Sequence, residues 1–255
     1  MGEGWSLTPE AGGRVRAERS GLIKGPIEAL VRRQPGPVLA LVGGYHLGAP
    51  TDPATTLTLE LDGSVVDTWT HDHGTAGPSF LHVTRLPGGI PAGDGAYATL
   101  RLTARNAAGG AAGELAIRQF DVHRESGSML AFDRGWHEDE YDPATGLRWR
   151  WTSDRSDLFV VAGAGTTLVL RGESPLKYFD EAPIVRVSTG AITLGEYRPD
   201  ADFEWRIPIP RGAVPGGGGA VTVSLDRAYL PGPAEGTSDT RRLGLRIFAA
   251  TLEGD

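Results

Sequence analysis

The residues best suited to chemistry lie between Gly135 and Trp151, in the run Gly-Trp-His-Glu-Asp-Glu-Tyr-Asp-Pro-Ala-Thr-Gly-Leu-Arg-Trp-Arg-Trp. An aromatic face beside carboxylates can stack on a sugar ring while accepting hydrogen bonds from its hydroxyls. Trp136, His137, Glu138, Glu140 and Tyr141 are therefore the expected ligand-binding set, with Arg242 as a neighbour. Trp136 and Tyr141 fall outside the alternating pattern that follows them, so no core demand accounts for them. The competing reading is that Trp136 plugs one end of a sandwich.

The element that must carry these groups is legible from period. Leu147, Trp149 and Trp151 share one parity and Arg148, Arg150 and Thr152 the other, which predicts a strand with its tryptophans inward and its arginines in solvent. Asp142-Pro143-Ala144-Thr145-Gly146 is turn chemistry, with proline fixing φ and glycine permitting a positive one. The acidic run is thus expected on a loop that leads into a strand.

Other constellations are weaker. Glu138, Asp139, Glu140 and Asp142 could offer oxygens to Ca2+, a hard cation that braces loops, although carboxylates in succession on a loop are usually just solvated. No other cofactor is expected. Glu138 or Glu140 with Glu173 or Asp180 could form the carboxylate pair of a glycosidase, but any acidic β-sandwich offers such pairs. His71-Asp72-His73, with His82 beyond, would put two imidazoles on one face of an extended segment; Gly74 and Gly77-Pro78 argue instead for an exposed hairpin end, and no metal is assigned. His46 and His123 read as lone structural residues. Arg241 and Arg242 after Asp239 are read either as a fork for a ligand or as a pin for the last strand. Gly216 to Gly219 precedes a strand and not a helix, so it is no phosphate loop, and the hydrolase motif Gly-x-Ser-x-Gly is absent. No catalytic residue is expected.

Composition bounds the rest. A chain of 255 residues can hold two ordinary β domains, and 37 glycines with 18 prolines suit many turns between short strands. A formal net charge of −7 argues against nucleic acid, which needs a clustered basic face. No cysteine means no disulfide and no thiolate chemistry. The first residues lack a signal peptide's basic and apolar regions, and no apolar run is long enough to insert in a membrane. If the protein belongs to the cell envelope or the extracellular space, it is expected to be a fragment or to have lost a leader; otherwise it is cytoplasmic.

Along the chain, residues 1–36 read as an extension with a short strand at Trp5 to Thr8 and about two helical turns from Pro26 to Arg33. Val38 to Val42 reads as a buried strand. Leu57, Leu59 and Leu61 alternate into an Asp62-Gly63 hairpin turn. Asn106 to Gly113 is a small-residue loop, and the parity flip between Ile117 and Phe120 predicts a β-bulge at Arg118 and Gln119. Polar residues from Glu125 to Ser128 mark a boundary. Further on, Phe203, Trp205, Ile207 and Ile209 share a face, and Pro208 implies an edge strand or strand end. Leu243, Leu245, Ile247 and Ala249 are the expected inward face of the last strand.

With Gly135-Trp136-His137-Glu138, Arg148-Trp149-Arg150-Trp151-Thr152 and Asp239-Thr240-Arg241-Arg242-Leu243-Gly244-Leu245 in place, residues 129–250 resemble the galactose-binding-like jelly roll. That domain is found, among other places, after the membrane part of bacterial glycosyltransferase-like envelope proteins. The resemblance implies a non-catalytic, often carbohydrate-associated sandwich. The expected organisation is all-β: an extension over 1–36, a β-sandwich over 37–124 and a jelly roll over 125–255. The expected function is carbohydrate binding or envelope association without catalysis, with a glycan as partner. The alternatives are a structural or adhesive subunit that self-associates through its extension and, third, a glycoside-active enzyme.

Overall fold

The computed structural model describes residues 26–46, 48–106, 115–236 and 238–254, with two short strands before them. The chain divides into two compact units, Met1–Ser126 and Gly127–Asp255. Both are β-sandwiches, so the fold class is all-β with sandwich domains in tandem. Among the described residues no helix is long and apolar enough to cross a membrane.

In the first unit, β1 (Ser6–Thr8) pairs antiparallel with β2 (Arg16–Glu18). Trp5, and the expected loop beyond Asn106 as far as Gly113, lie outside the described residues. The strands that follow are β3 (Ile27–Arg32), β4 (Gln34–Pro35), β5 (Val38–His46), β6 (Thr55–Leu61), β7 (Ser64–His71), β8 (Ser79–Leu86), β9 (Gly89–Ile90), β10 (Tyr97–Asn106) and β11 (Leu115–Arg124). One helical turn, α1 (His73–Ala76), lies between β7 and β8. A four-stranded sheet of order β3-β10-β6-β7 faces a three-stranded sheet of order β11-β5-β8, and their inward side chains form one core.

The helix expected from Pro26 to Arg33 is instead β3, paired with β10 from Ile27 to Arg32. Two turns of helix would leave most of their backbone groups unpaired, whereas the edge of β10 supplies a complete row of partners and buries Ile27 and Val31. Elsewhere the local signals hold. Asp62 and Gly63 take positive φ between β6 and β7, the geometry that hairpin turn requires. The register of β11 on β5 shifts between Ile117 and Gln119, at the expected bulge. β5 is central and buried along its whole length.

The second unit contains β12 (Met129–Phe132), β13 (Trp136–Tyr141), β14 (Arg148–Thr152), β15 (Arg155–Val161), β16 (Thr167–Glu173), β17 (Val185–Thr189), β18 (Ile192–Tyr197), β19 (Phe203–Pro208), β20 (Gly219–Leu225) and β21 (Arg246–Glu253). A short helix, α2 (Pro231–Glu235), precedes β21. Two five-stranded sheets, β12-β15-β20-β17-β18 and β13-β14-β21-β16-β19, enclose a core built from Leu158, Val160, Leu168, Leu170, Val221 and Ile247 among others. β19 is an edge strand, and Pro208 stands at its end. The last strand changes phase. The register skips Phe248 where Arg171 and Gly172 pair with Ala249 and Ile247, so the inward set becomes Ile247, Ala250 and Leu252 and not Ala249.

Candidate functional site

The acidic run is not a loop. Trp136 to Tyr141 forms β13, which pairs antiparallel with β14, and the turn joining them is held by Asp142, whose carboxylate accepts from Ala144 N–H at 2.8 Å and from Thr145 O–H at 2.8 Å. The turn closes locally, so residues on either side of it meet in register. Glu140 stands opposite Trp149, and Tyr141 opposite Arg148.

This pairing decides which face each side chain takes. Arg150 pairs with Ile247, a core residue, so Arg150 turns inward; its guanidinium lies 4.2 Å from the Phe132 ring centroid, and its Nε donates to Asp139 Oδ1 at 2.6 Å. Trp151 pairs with Arg246, which pairs in turn with Glu173. Glu140, Trp149, Trp151, Arg246 and Glu173 therefore form a row across β13, β14, β21 and β16, on the side of the sheet away from the core. The alternation predicted for β14 is present, but its sense is reversed: the tryptophans face outward and the arginine inward.

Trp136 follows the competing reading and is buried in the sandwich, not placed with the ligand-binding set. It is 2% exposed, lies in the main core against Phe132, and donates its indole N–H to the carbonyl oxygen of Asp157 at 2.8 Å. The reason is an irregularity in register between Trp136 and Asp139, which puts Trp136 opposite Thr152 and on the inward side, while Glu140 faces out.

The outward row is organised by one carboxylate. Oε2 of Glu140 accepts the indole N–H of Trp149 at 3.1 Å and that of Trp151 at 3.2 Å, while Oε1 accepts from Arg241 Nη1 at 2.7 Å. Arg241 is also bound through Nε and Nη2 to Asp239, at 3.0 and 2.7 Å. The hydrogen bonds from Arg241 hold the Asp239 carboxyl below its ordinary range, and those of Asp239 and then Glu140 raise the guanidinium further. The guanidinium carbon of Arg246 lies 3.9 Å from the Trp149 centroid, a cation–π contact, and its Nη1 is ion-paired with Glu173.

Two loops complete this face. Trp151, Tyr229 and Leu243 form a small buried cluster against which Trp149, Tyr178 and Phe179 are partly covered. Tyr178 stacks on Tyr229 with centroids 4.0 Å apart, and burial, with Glu235 beside it, pushes the Tyr229 hydroxyl up to about 12. Trp149 remains half-buried, with Glu140, Arg241 and Arg246 around it.

The other expected site residues are dispersed. His137 hydrogen-bonds the carbonyl oxygen of Arg242 through Nε2 at 2.9 Å; burial and then the nearby Arg241 charge lower its proton affinity, against the Arg242 carbonyl. The side chain of Arg242 bonds Asp154 at 3.1 Å. Glu138 is half-buried in the irregular stretch of β13, and Tyr141, with Arg148 5.6 Å from its ring centroid, takes the parity opposite to Glu140. The fold thus brings His137 and Glu140 around Arg241 and sends Trp136 elsewhere. Arg246, Tyr178, Phe179 and Tyr229 were not anticipated. One signal was available: two indole N–H groups on one parity need an acceptor, and Glu140 is the carboxylate across the turn.

Of the carboxylates considered for Ca2+, three have separate partners, Arg150 for Asp139, the indoles and Arg241 for Glu140, and the turn for Asp142. Among the described residues no three histidine or acidic side chains are grouped so as to hold a metal ion. The histidines of the first unit do not form an exposed hairpin end. His71 is buried, His82 bonds Asp67 at 2.8 Å, and His46 lies beside both His71 and His73.

No family model and no curated protein matches this chain. Several solved structures are similar at low identity. The tandem CBM51 modules of a family 98 glycoside hydrolase from Streptococcus pneumoniae share 12% identity, covering 98% of this chain and 88% of theirs, with a TM-score of 0.29. The CBM22-1–CBM22-2 tandem domain of Xyn10C from Paenibacillus barcinonensis shares 11%, covering 100% and 94%, with a TM-score of 0.26. A Paenibacillus xanthan lyase shares 11%, covering 88% of this chain and 22% of that one, also with a TM-score of 0.26. At these values the likenesses carry no weight for ligand or activity.

Proposed function

We propose that this protein is a non-catalytic carbohydrate-binding module acting in the cell envelope or outside the cell, and that its second sandwich takes the glycan on the outward face of the β13-β14-β21-β16 row. The observation that carries this reading is the setting of Trp149. A half-buried indole is fixed by Glu140, with Arg246 over its ring and Arg241 on the same carboxylate, which sets an aromatic side chain among charged hydrogen-bonding groups on a rigid sheet. A pyranose needs this combination, because its ring C–H groups pack on the aromatic while its hydroxyls bond to the rim. Glu140 and Glu173 also share this face, but each is engaged by an arginine, which suits binding better than the proton transfer a glycosidase requires.

A glycan array probed with the full chain tests the reading. Wild type should retain at least one class of saccharide, Trp149→Ala should abolish retention while far-ultraviolet circular dichroism stays native, and Arg246→Ala should weaken it. Absence of any retained saccharide, or retention unchanged in both variants, rejects the proposal.

A further inference from the structure

The first sandwich ends in a cluster of imidazoles that nothing above accounts for. His46 closes β5 and His71 closes β7, both on the core side, and they are 3% and 6% exposed. Their ring centroids are 6.4 Å apart, and His73, the first residue of α1, is 5.2 Å from His46. Phe80 of β8 packs 5.0 Å from His71 and Thr55 pairs with it from β6, so His71 sits against hydrophobic surface and backbone.

Each buried ring leaves one nitrogen bare and faces a loop backbone that favours its protonated form, Gly48 of the β5–β6 connection for His46 and Gly77 of the β7–β8 connection for His71. Nδ1 of His46, Nε2 of His71 and Nδ1 of His73 are buried with no hydrogen-bond partner. A neutral imidazole can leave its lone pair bare at modest cost, but a proton added there creates a buried charge and an N–H with no acceptor. The charged groups facing the cluster among the described residues are Asp52 from the first loop and Asp72 from the second. Each is tied to its own loop: Asp52 Oδ2 accepts from Ala49 N–H at 3.0 Å and Asp72 Oδ1 from Gly74 N–H at 2.9 Å. The two loops also touch, since a Cβ on Gly74 would lie 2.7 Å from the Pro50 carbonyl oxygen.

We propose that His46, His71 and His73 form an acid-released latch that holds the 48–54 and 72–78 loops on the end of the first sandwich near neutral pH and frees them on mild acidification. Burial, with the neighbouring imidazoles adding to it, lowers the proton affinity of both His46 and His71 in the closed state, against the pull of Asp52 and the Gly48 backbone on the first and of the Gly77 backbone and Asp72 on the second. Histidines of the opened loops titrate near 6.5, so as pH falls below about that value the open state takes up protons first and the closed state loses stability. The latch is complete above that range and weakens as pH falls toward the closed-state values.

The test uses the full chain. Imidazole resonances followed by NMR from pH 8 to 4.5, assigned with His46→Gln and His71→Gln, should show these two rings titrating below the ordinary histidine value of about 6.5. Hydrogen exchange, corrected for the intrinsic pH dependence, should show peptides over 46–54 and 71–79 losing protection several-fold between pH 7.5 and 5, while β6 stays protected. The double variant should lose that pH response. If either variant fails to fold, the wild-type titration and exchange still decide. Titration of both rings at ordinary values, protection unchanged by pH, or a pH response that survives in the folded double variant overturns the latch. Zinc at pH 7.5 protecting these loops would also overturn it, making the cluster a metal site.

Discussion

The indole N–H of Trp136 reaches the carbonyl oxygen of Asp157 at 2.8 Å from inside the core of the second sandwich. Trp136→Ala removes a fully buried ring and leaves that carbonyl without its donor, so it should lower the stability of the second unit by about 3–5 kcal/mol. Trp136→Phe should cost clearly less, because most of the volume is kept. Urea unfolding followed by circular dichroism checks both, and glycan retention should survive in whichever variant stays folded.

Gly135, just before β13, stands where glycine is required. Its φ is +81°, and a Cβ there would lie 1.9 Å from the carbonyl oxygen of Arg155. Gly135→Ala should destabilise the second unit at least as much as Trp136→Ala, since backbone rather than a pliable side chain fills the space. A melting temperature within a degree or two of wild type would show that β13 can be re-aimed.

Glu140→Gln should cost about 1–2 kcal/mol, less than a deeply buried ion pair, because Glu140 and Arg241 are 32% and 39% exposed. The amide oxygen can still accept one indole N–H, but it cannot serve Trp149, Trp151 and Arg241 together. Tryptophan fluorescence should shift with the substitution. In a double-mutant cycle with Arg241→Ala the two losses should not add.

Acid stability supplies another check. The Asp239 carboxyl is held low chiefly by the hydrogen bonds from Arg241. The contribution is complete above the unfolded-state value near 3.9 and is lost as pH falls through the lower folded value. Asp239→Asn should therefore lower stability at pH 7 and flatten its dependence on pH below about 4. Equal slopes in wild type and variant would place the acid sensitivity elsewhere.

Cleavage or separate expression at Ser126/Gly127 should yield two fragments that each melt cooperatively, because each unit encloses its own core. Random-coil circular dichroism from either fragment would contradict this.

What the sequence determined by itself is what short-range physics controls. The period-two alternation of Leu57 to Leu61, the Asp62-Gly63 turn, the bulge beside Arg118 and the edge position implied by Pro208 all follow from neighbours a few residues apart, and all are present in the fold. The all-β class follows from the same signals repeated. In β14 the alternation correctly separated Trp149 and Trp151 from Arg148 and Arg150.

Tertiary structure decided which of those two sets meets the core. Hydrophobicity argued for the tryptophans, but pairing of Arg150 with Ile247 and of Trp151 with Arg246 turned the arginine in and the indoles out. The register is set by partners some hundred residues away along the chain. The irregularity in β13 placed Trp136 inside and Glu140 outside, and the loops bearing Tyr178 and Tyr229 then covered the outward indoles. β3 became a strand because β10 offered an edge, and His46 met His71 because β5 and β7 end on the same side of one core. A strand's period is local chemistry; the identity of its inward face depends on long-range pairing, and the residues proposed here for function owe their positions to that pairing.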